Sequence, residues 1–280
     1  MYKSINQWSF PSGMTVPEMM RLAKISGFEG FEPALSETGA LSLESADGEF
    51  LALKRTAEDI GIKLTSLASG LTWSYSPTSN DENIRKIAKE QVRRQLECAK
   101  LLGVDAILFV PATVGSGFWG GADDPVKYED AWYRTIDNLN DLKGYAEELG
   151  VTIGVENVWN NFLMSPREFR ELIDTVDSPR VKVYLDVGNV LKYGWPEQWI
   201  DILGCRICRV HVKDFKREVG TLAGFVDLLS GDVNFPAVID ALNRNGYEGP
   251  LTAEMGVNSV YPEDIVFRTA RALEKILGER

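Results

Sequence analysis

Cysteine and long apolar runs are scarce in this sequence. The 280 residues include 3 cysteines, Cys98, Cys205 and Cys208, which fits a reducing compartment better than a disulfide framework. No window approaches the roughly 18 consecutive apolar residues of a membrane span, and the N-terminal residues lack the charged and then apolar pattern of a secretory signal. We therefore expect a cytoplasmic protein without a membrane partner.

Positive charge is also in short supply. The chain has 30 Lys and Arg against 41 Asp and Glu, a formal net charge of −11, whereas nucleic-acid binders usually carry a basic surface. We therefore expect no nucleic-acid partner. Hydrophobic residues at 44% and charged residues at 25% are ordinary for a folded globular chain, which excludes global disorder.

The spacing Cys205-x-x-Cys208 raises the question of a redox or metal site. Both cysteines lie in the apolar run CRICRVHV, which is typical of a strand. Residues three apart on a strand point to opposite faces of the sheet. This pattern favours a role in packing over a redox or metal-binding pair.

One local pattern recurs along the chain. A helical stretch ends at a glycine and an apolar run follows immediately, at Gly27, Gly61, Gly103, Gly150 and Gly246. Glycine just beyond a helix supplies the left-handed residue that ends it, and a short run that is apolar on both faces is typical of a buried parallel strand. The five copies therefore predict a repeated alternation of helix and parallel strand.

The remaining units complete this alternation. The eight candidate strands are Lys3–Trp8, Phe28–Glu32, Lys63–Ala68, Ala106–Pro111, Val151–Glu156, Val181–Asp186, Cys205–Val212 and Pro250–Glu254. Eight alternating β and α elements predict an α/β protein with a single (β/α)8 TIM barrel, and a doubly wound open sheet is the alternative. No proline-rich linker, charge block or low-complexity run interrupts the chain, so residues 1–280 are predicted to form one domain.

The last four predicted strands each have a residue that can bind a metal among their last two residues. VTIGVE ends in Glu156, VKVYLD in Asp186, CRVH in His211 and PLTAE in Glu254, and His211 is the single histidine of the chain. The carboxyl ends of barrel strands converge on one mouth, where active sites are built. One charged strand end is usually only solvated or in a salt bridge, but four in succession favour a shared site.

Three carboxylates at one mouth repel each other, and at least one pKa rises unless a cation neutralises them. A divalent metal bound by Glu156, Asp186, His211 and Glu254 removes that conflict. Three oxygens and one nitrogen suit Mn²⁺, Mg²⁺ or Co²⁺ better than a structural zinc site, which prefers Cys and His. The sequence therefore predicts one divalent metal.

Four segments carry a family resemblance. VENVWNN, YLDVGNV, RVHVKDFKR and SGDVNFPAVIDALNRNGYEGPLTAEM resemble the xylose-isomerase-like superfamily of sugar isomerases and epimerases, and they look closest to its L-xylulose-5-phosphate 3-epimerase and ketose 3-epimerase branch. The resemblance follows the whole barrel, but its specific motifs lie between about Val151 and Met255. It implies a metal-dependent isomerase of carbohydrate metabolism that acts on a small sugar or sugar phosphate.

The resemblance also implies roles for individual residues. In that family the four strand-end positions hold one divalent metal, commonly Mn²⁺, and two glutamates, here Glu156 and Glu254, form the acid–base pair. Arg217, six residues after His211, is implied to contact substrate oxygens. Family members are often dimers or tetramers, so a homo-oligomer is expected.

Two positions depart from the epimerases that act on free sugars. Asn189, a candidate substrate contact, stands where those enzymes tend to carry histidine, as it does in phosphopentulose epimerases. Phe162 replaces their second glutamate, six residues after Glu156.

The chemistry of such a reaction accounts for two glutamates. Removing a proton beside a carbonyl needs a base on one face and a Lewis acid on the oxygen. Glu156 and Glu254 could reach opposite faces of a planar cis-enediolate, so that one removes the proton and the other returns it. The sequence leaves open which glutamate does which.

A basic cluster follows His211. Lys213 lies two residues later on the same strand face, and Lys216 and Arg217 follow it. The cluster is either a solvated loop or a clamp for an anionic substrate such as a phosphate. Asp214 is expected to point the other way, into a salt bridge.

Further candidates face the predicted mouth. Glu32 ends the second strand, where it holds a sugar hydroxyl or belongs to a network at the mouth. Trp8, Trp73 and Trp119 follow strands one, three and four, where they either form apolar walls around a sugar or pack in the core. The glycine-rich loop 115–121 resembles a mobile lid after strand four.

Two other reaction classes remain open on the same metal site. One is an aldose–ketose isomerase similar to hydroxypyruvate isomerase, and the other is a lyase similar to inosose dehydratase. Endonucleases and hydride-shift isomerases of this superfamily need more histidines than the single one present. A non-catalytic sugar-binding barrel has no need for two metal-bound glutamates.

Overall fold

The computed structural model describes residues 1–111, 113–115, 125–257 and 260–278. Its strands are β1 (Tyr2–Asn6), β2 (Gly30–Glu32), β3 (Ala34–Leu35), β4 (Lys63–Leu64), β5 (Ala68–Ser69), β6 (Ala106–Phe109), β7 (Thr152–Glu156), β8 (Val181–Asp186), β9 (Ile207–Val212), β10 (Asp214–Phe215), β11 (Phe225–Val226) and β12 (Pro250–Ala253). Its α-helices are α1 (Val16–Ile25), α2 (Asp47–Ile60), α3 (Leu71–Ser74), α4 (Glu82–Leu102), α5 (Tyr128–Leu149), α6 (Pro166–Val176), α7 (Val187–Val190), α8 (Pro196–Leu203), α9 (Phe235–Arg244) and α10 (Asp264–Leu277).

Eight of these strands form one parallel sheet that curls into a barrel. Its order is β4-β2-β1-β12-β9-β8-β7-β6. The sheet closes through a parallel bridge between Leu67, just after β4, and Ile107 on β6, where the Leu67 N–H donates to the Ala106 carbonyl at 3.0 Å. This closure confirms the predicted (β/α)8 barrel and excludes the open-sheet alternative.

The helices cover the outside of the barrel because each has one apolar face. On α4, the apolar face is buried at Ala88, Val92, Leu96 and Ala99. Gly103 ends this helix in the left-handed conformation at φ +78°, as expected of a glycine that turns the chain back into a strand. Within the described part of the chain, no helix combines the length and the apolarity that crossing a membrane requires.

Several predicted strands are shorter in the structure, and two of these corrections concern residues singled out in the sequence. Trp8 lies in a 3-10 turn after β1, because the Asn6 side chain accepts a hydrogen bond from the Trp8 N–H at 2.7 Å and ends the strand. Cys205 lies in a second 3-10 turn and is exposed, whereas Cys208 lies on β9 and its thiol donates to the Val183 carbonyl at 3.3 Å. All three cysteines are free thiols.

Candidate active site and metal centre

The four predicted metal ligands lie together at the carboxyl end of the barrel. Glu156, Asp186 and His211 are in the last residues of β7, β8 and β9, and Glu254 directly follows β12. Each offers one ligand atom, and these atoms all lie within 4.8 Å of one another. Asp186 and His211 are also register partners on neighbouring strands, so the sheet itself holds them at the same level.

The two ring nitrogens of His211 face different partners. Nδ1 lies 3.3 Å from Glu156 Oε1 and 3.1 Å from Glu254 Oε2. Nε2 lies 2.7 Å from Glu32 Oε2, on the side away from the cluster. The ring is fully buried, so its only hydrogen-bonding partners in the described structure are these three carboxylates.

Lys213 belongs to the same cluster. Its Nζ lies 3.0 Å from Asp186 Oδ2 and 2.9 Å from Glu254 Oε1. A Cβ on Gly188 would come within 2.5 Å of the Lys213 Cβ, so glycine is required there to let the lysine approach. The lysine charge therefore offsets part of the carboxylate charge, and Lys213 also lines the adjoining cavity.

The two glutamates experience different electrostatics. Burial raises the pKa of the Glu156 carboxyl to about 7, although His211 and Lys213 act in the opposite direction. Burial also acts to raise the pKa of Glu254, but Lys213 and His211 lower it to about 2. Carboxyls with pKa values pushed apart in this way are typical of acid–base pairs.

The donor set fits a divalent cation. Asp186 Oδ2 is buried and has no hydrogen-bond partner among the described residues. Lys213 Nζ lies near it without hydrogen-bond geometry. The other oxygen of Asp186 accepts from the Asn189 N–H at 2.8 Å. A buried carboxylate oxygen that accepts no hydrogen bond, beside two further carboxylates and an imidazole, is a combination that a hard divalent ion satisfies.

A cavity of about 100 Å³ opens beside the cluster. Glu156 and Glu254 are among the polar residues that line it. The rest of the wall is mostly apolar and includes Trp8, Trp73, Leu108, Val110, Val158, Trp159, Leu222 and Phe225. A groove of about 580 Å³ adjoins it and shares Trp8, Trp73 and Glu254. Trp8 and Trp73 thus stand at the mouth, where the sequence predicts apolar walls, while Trp119 lies outside the described residues.

Glu32 does not lie at the surface of the mouth. Its carboxylate is fully buried and accepts hydrogen bonds from Asn6, Ser66 and Tyr184 in addition to His211. These contacts make Glu32 part of a buried hydrogen-bond network, and its contact with a sugar stays a prediction. Sequence reasoning did not identify its partners, because Ser66 and Tyr184 stand in no recognisable motif.

The three residues of the basic cluster, Lys213, Lys216 and Arg217, lie in different environments. Lys213 faces the acids, whereas Arg217 is exposed and places its guanidinium 4.4 Å from the centre of the Trp195 ring. Lys216 is half-buried and, like Arg217, is not among the described residues that line the cavity. The expected salt bridge of Asp214 is wrong, because this buried carboxylate accepts from the backbone N–H groups of residues 215, 231 and 233.

Asn189 and Phe162, the two positions that depart from free-sugar epimerases, differ in their access to the cavity. Asn189 lines the cavity, and its Nδ2 donates to the Asn157 carbonyl at 2.9 Å. Phe162 is 1% exposed and packs against Tyr128 and Trp132, with ring centres 5.4 and 6.3 Å away. Phe162 is therefore a core residue that has no access to a substrate.

The chain is similar in sequence and in fold to known 3-epimerases. L-ribulose-5-phosphate 3-epimerase UlaE of Salmonella typhimurium is 26% identical over 254 residues, covering 90% of this chain and 86% of that protein. A crystal structure of D-psicose 3-epimerase with D-tagatose from Clostridium cellulolyticum H10 superposes with a TM-score of 0.82 at 19% identity, covering 99% of each chain. A structure of L-ribulose 3-epimerase gives a TM-score of 0.79 at 17% identity, covering 99% of this chain and 94% of that one.

These relatives and structural neighbours are epimerases, which are isomerases, and the two structures share the fold of this chain. A family profile described as the xylose isomerase-like TIM barrel matches residues 20–276, which is most of the chain. The resemblance in the strand-end motifs is thereby confirmed. The chain belongs to the xylose isomerase-like TIM barrel family.

Proposed function

We propose that this protein is a divalent-metal-dependent 3-epimerase that acts on a ketose or a ketose phosphate. The observation that carries the proposal is the grouping of four metal-ligand atoms within 4.8 Å, with Glu156 and Glu254 also lining the cavity beside them. The names of the relatives support it, since they act at carbon 3 of ketoses or of a ketose phosphate.

Glu156, Asp186, His211 and Glu254 would hold the metal, with Mn²⁺ the first choice and Mg²⁺ or Co²⁺ also suited to the donor set. When bound, the ion would supply a Lewis acid that stabilises negative charge developing on substrate oxygen. The identity of the metal is part of the proposal.

The two glutamates carry the proton transfers. Inversion at carbon 3 requires one group that removes the proton and another that returns it to the opposite face of the planar enediolate. Glu156 ends β7 and Glu254 directly follows β12. Strands β8 and β9 lie between β7 and β12 in the sheet, so the two glutamates approach the cavity from separated strands. Their roles exchange when the reaction runs in the opposite direction.

The cavity walls position the sugar. Trp8, Trp73 and Val158 provide apolar surface beside the glutamates, which keeps water away from the reacting carbon. Asn189, Lys213 and Arg217 are proposed as polar contacts to the substrate. Asn189 and Lys213 line the cavity, and Arg217 would have to leave its stacking position on Trp195.

Deuterium incorporation tests the proposal. The Mn²⁺-loaded protein is incubated in D₂O with ketoses and their phosphates, and the products are analysed by NMR and mass spectrometry. Deuterium at carbon 3 in both epimers is expected. Label accompanying an aldose product would indicate an aldose–ketose isomerase instead, and a product lighter by one water would indicate a lyase.

A matched pair of variants tests the glutamate. Glu254→Gln removes the ionisable group and is expected to abolish incorporation while circular dichroism stays unchanged. Glu248→Gln changes an exposed glutamate shortly before Glu254 in the sequence and is expected to keep wild-type incorporation of deuterium. Retained incorporation by Glu254→Gln would contradict the acid–base assignment.

We also propose that residues 1–280 form one domain that works in the cytoplasm as a homo-oligomer, a dimer or a tetramer. The single domain is supported by the parallel pairing of β1 with β12, which joins the two ends of the chain in one sheet. Light scattering on the purified protein measures the oligomeric state.

A further inference from the structure

A buried polar network centred on Glu32 lies behind the metal ligands. The Glu32 carboxylate is 0% exposed and accepts four hydrogen bonds from side chains on other parts of the barrel. Asn6 Nδ2 and His211 Nε2 donate to Oε2 at 2.6 and 2.7 Å. Ser66 Oγ, at 2.6 Å, and the Tyr184 hydroxyl donate to Oε1.

These bonds use the whole accepting capacity of the carboxylate. An ionised carboxyl offers about four lone-pair sites, two on each oxygen, and each Glu32 oxygen already has two donors. A sugar hydroxyl would have to displace one of these donors inside a closed core. The function of Glu32 is therefore directed at its side-chain partners.

Of those partners, His211 is the one that the network holds in a single orientation. Turning the ring over would break the Nε2 bond to Glu32 and would move Nδ1 away from Glu156 and Glu254. The Tyr184 ring packs edge-on against the imidazole, with centres 4.6 Å apart.

The position of the Tyr184 ring depends on a glycine in the neighbouring strand. A Cβ at Gly154 on β7 would come within 2.9 Å of a Tyr184 ring carbon. Glycine at this position therefore leaves the space that the tyrosine needs to reach both His211 and Glu32.

We propose that Glu32 is a positioning residue: it accepts the Nε2 proton of His211 and so directs Nδ1 at the metal. Asn6, Ser66 and Tyr184 hold Glu32 in place for this task. A carboxylate that receives the second N–H of a metal-binding histidine fixes both the tautomer and the ring orientation. The inference rests on the metal site of the proposed function but does not depend on the reaction catalysed.

Metal affinity provides the first test. The dissociation constant of Mn²⁺ is measured by calorimetry on the full-length wild type, on Glu32→Gln and on Glu29→Gln, which alters an exposed glutamate three residues away. Glu32→Gln is expected to weaken Mn²⁺ binding about 10- to 100-fold. The amide oxygen of glutamine can still accept from Nε2, but it carries no charge, so it supports Nδ1 as a metal ligand less than the carboxylate does. Glu29→Gln is expected to bind like the wild type.

The single histidine of the chain provides a second test that a merely structural residue would not affect. In protein labelled with ¹⁵N-histidine and loaded with ¹¹³Cd²⁺, the proton is expected on Nε2 and the cadmium coupling on Nδ1. Tyr184→Phe, which removes one donor to Glu32, is expected to keep this pattern with a smaller, several-fold loss of affinity. This milder variant carries the test if Glu32→Gln does not fold.

The outcomes separate the inference from the proposed function. If the wild type binds Mn²⁺ but Glu32→Gln binds it equally well, or if cadmium couples to Nε2, the role of Glu32 is refuted while the metal site stands. If the folded wild type binds neither ion, the metal site and the role of Glu32 are refuted together.

Discussion

Lys213 contributes a positive charge to the carboxylate cluster. Removing this charge by mutation tests whether a bound metal ion can replace it. Its side chain is 16% exposed, and its Nζ contacts Asp186 Oδ2 and Glu254 Oε1. Lys213→Met retains an unbranched side chain of similar bulk but no charge. The carboxylates of the variant then repel each other without compensation.

The expected loss of stability can be worked from these contacts. Opposite charges about 3 Å apart interact by about 5 kcal/mol at an effective dielectric constant near 20, and desolvation of the ammonium group offsets much of this. Removing one partner of a buried ion pair costs about 3–5 kcal/mol. Because Lys213 and Glu254 keep some contact with solvent, we expect the free energy of unfolding in EDTA to fall by about 3 kcal/mol.

A divalent ion replaces the missing charge, so Mn²⁺ should stabilise the variant more than the wild type. Bound ligand stabilises by RT ln(1 + [L]/Kd), and the variant has no lysine to compete with the ion for Asp186 and Glu254. Urea unfolding followed by tryptophan fluorescence, in EDTA and in saturating Mn²⁺, measures both effects. Lys216→Met, on the following loop, is the control.

An equal loss of stability with and without Mn²⁺ would refute this reasoning. It would mean that Lys213 stabilises the barrel through contacts that a metal does not replace.

Three further predictions concern the surroundings of the site. Arg217→Ala is expected to raise KM for the substrate several-fold and to leave the Mn²⁺ dissociation constant unchanged; equal losses in calorimetry and kinetics would make Arg217 structural. Phe162→Ala opens a cavity beside Tyr128 and is expected to lower the free energy of unfolding by about 3–5 kcal/mol in urea titrations, whereas a loss below about 1 kcal/mol would contradict its core placement. Burial raises the pKa of the Cys208 thiol to about 11, so only about one molecule in a thousand carries that thiolate at pH 8. The exposed Cys205 should therefore react first with a disulfide reagent, and labelling of the half-buried Cys208 should speed up as the pH rises. Equal labelling rates of the two cysteines at pH 8 would contradict this prediction.

The candidate ligand set could be predicted from the sequence because the end of a buried strand is easy to recognise. A parallel strand buried on both faces is a short apolar run, so a charged residue that ends such a run is conspicuous. Since all strands of a parallel barrel point the same way, their last residues meet at one edge. The positions of four residues in four successive apolar runs were therefore enough to predict that they lie together: Glu156, Asp186, His211 and Glu254. The structure brings their ligand atoms within 4.8 Å of one another.

The roles of Glu32 and Asp214 could not be predicted in the same way. Both are acids at or near a strand end, but one accepts from side chains 26 to 179 residues distant and the other accepts from backbone N–H groups. Local sequence shows that an acid is present, not which donors the closed barrel places around it.

Sequence by itself determined the alternation of helices and strands, and with it the residues at the barrel mouth, because periodicity and helix-ending glycines act over a few residues. Tertiary structure alone decided which of those residues remain accessible to a substrate. Burial, hydrogen-bond capacity and the pairing of Lys213 with two acids depend on contacts between strands far apart in the chain, and these contacts exist only once the barrel has closed.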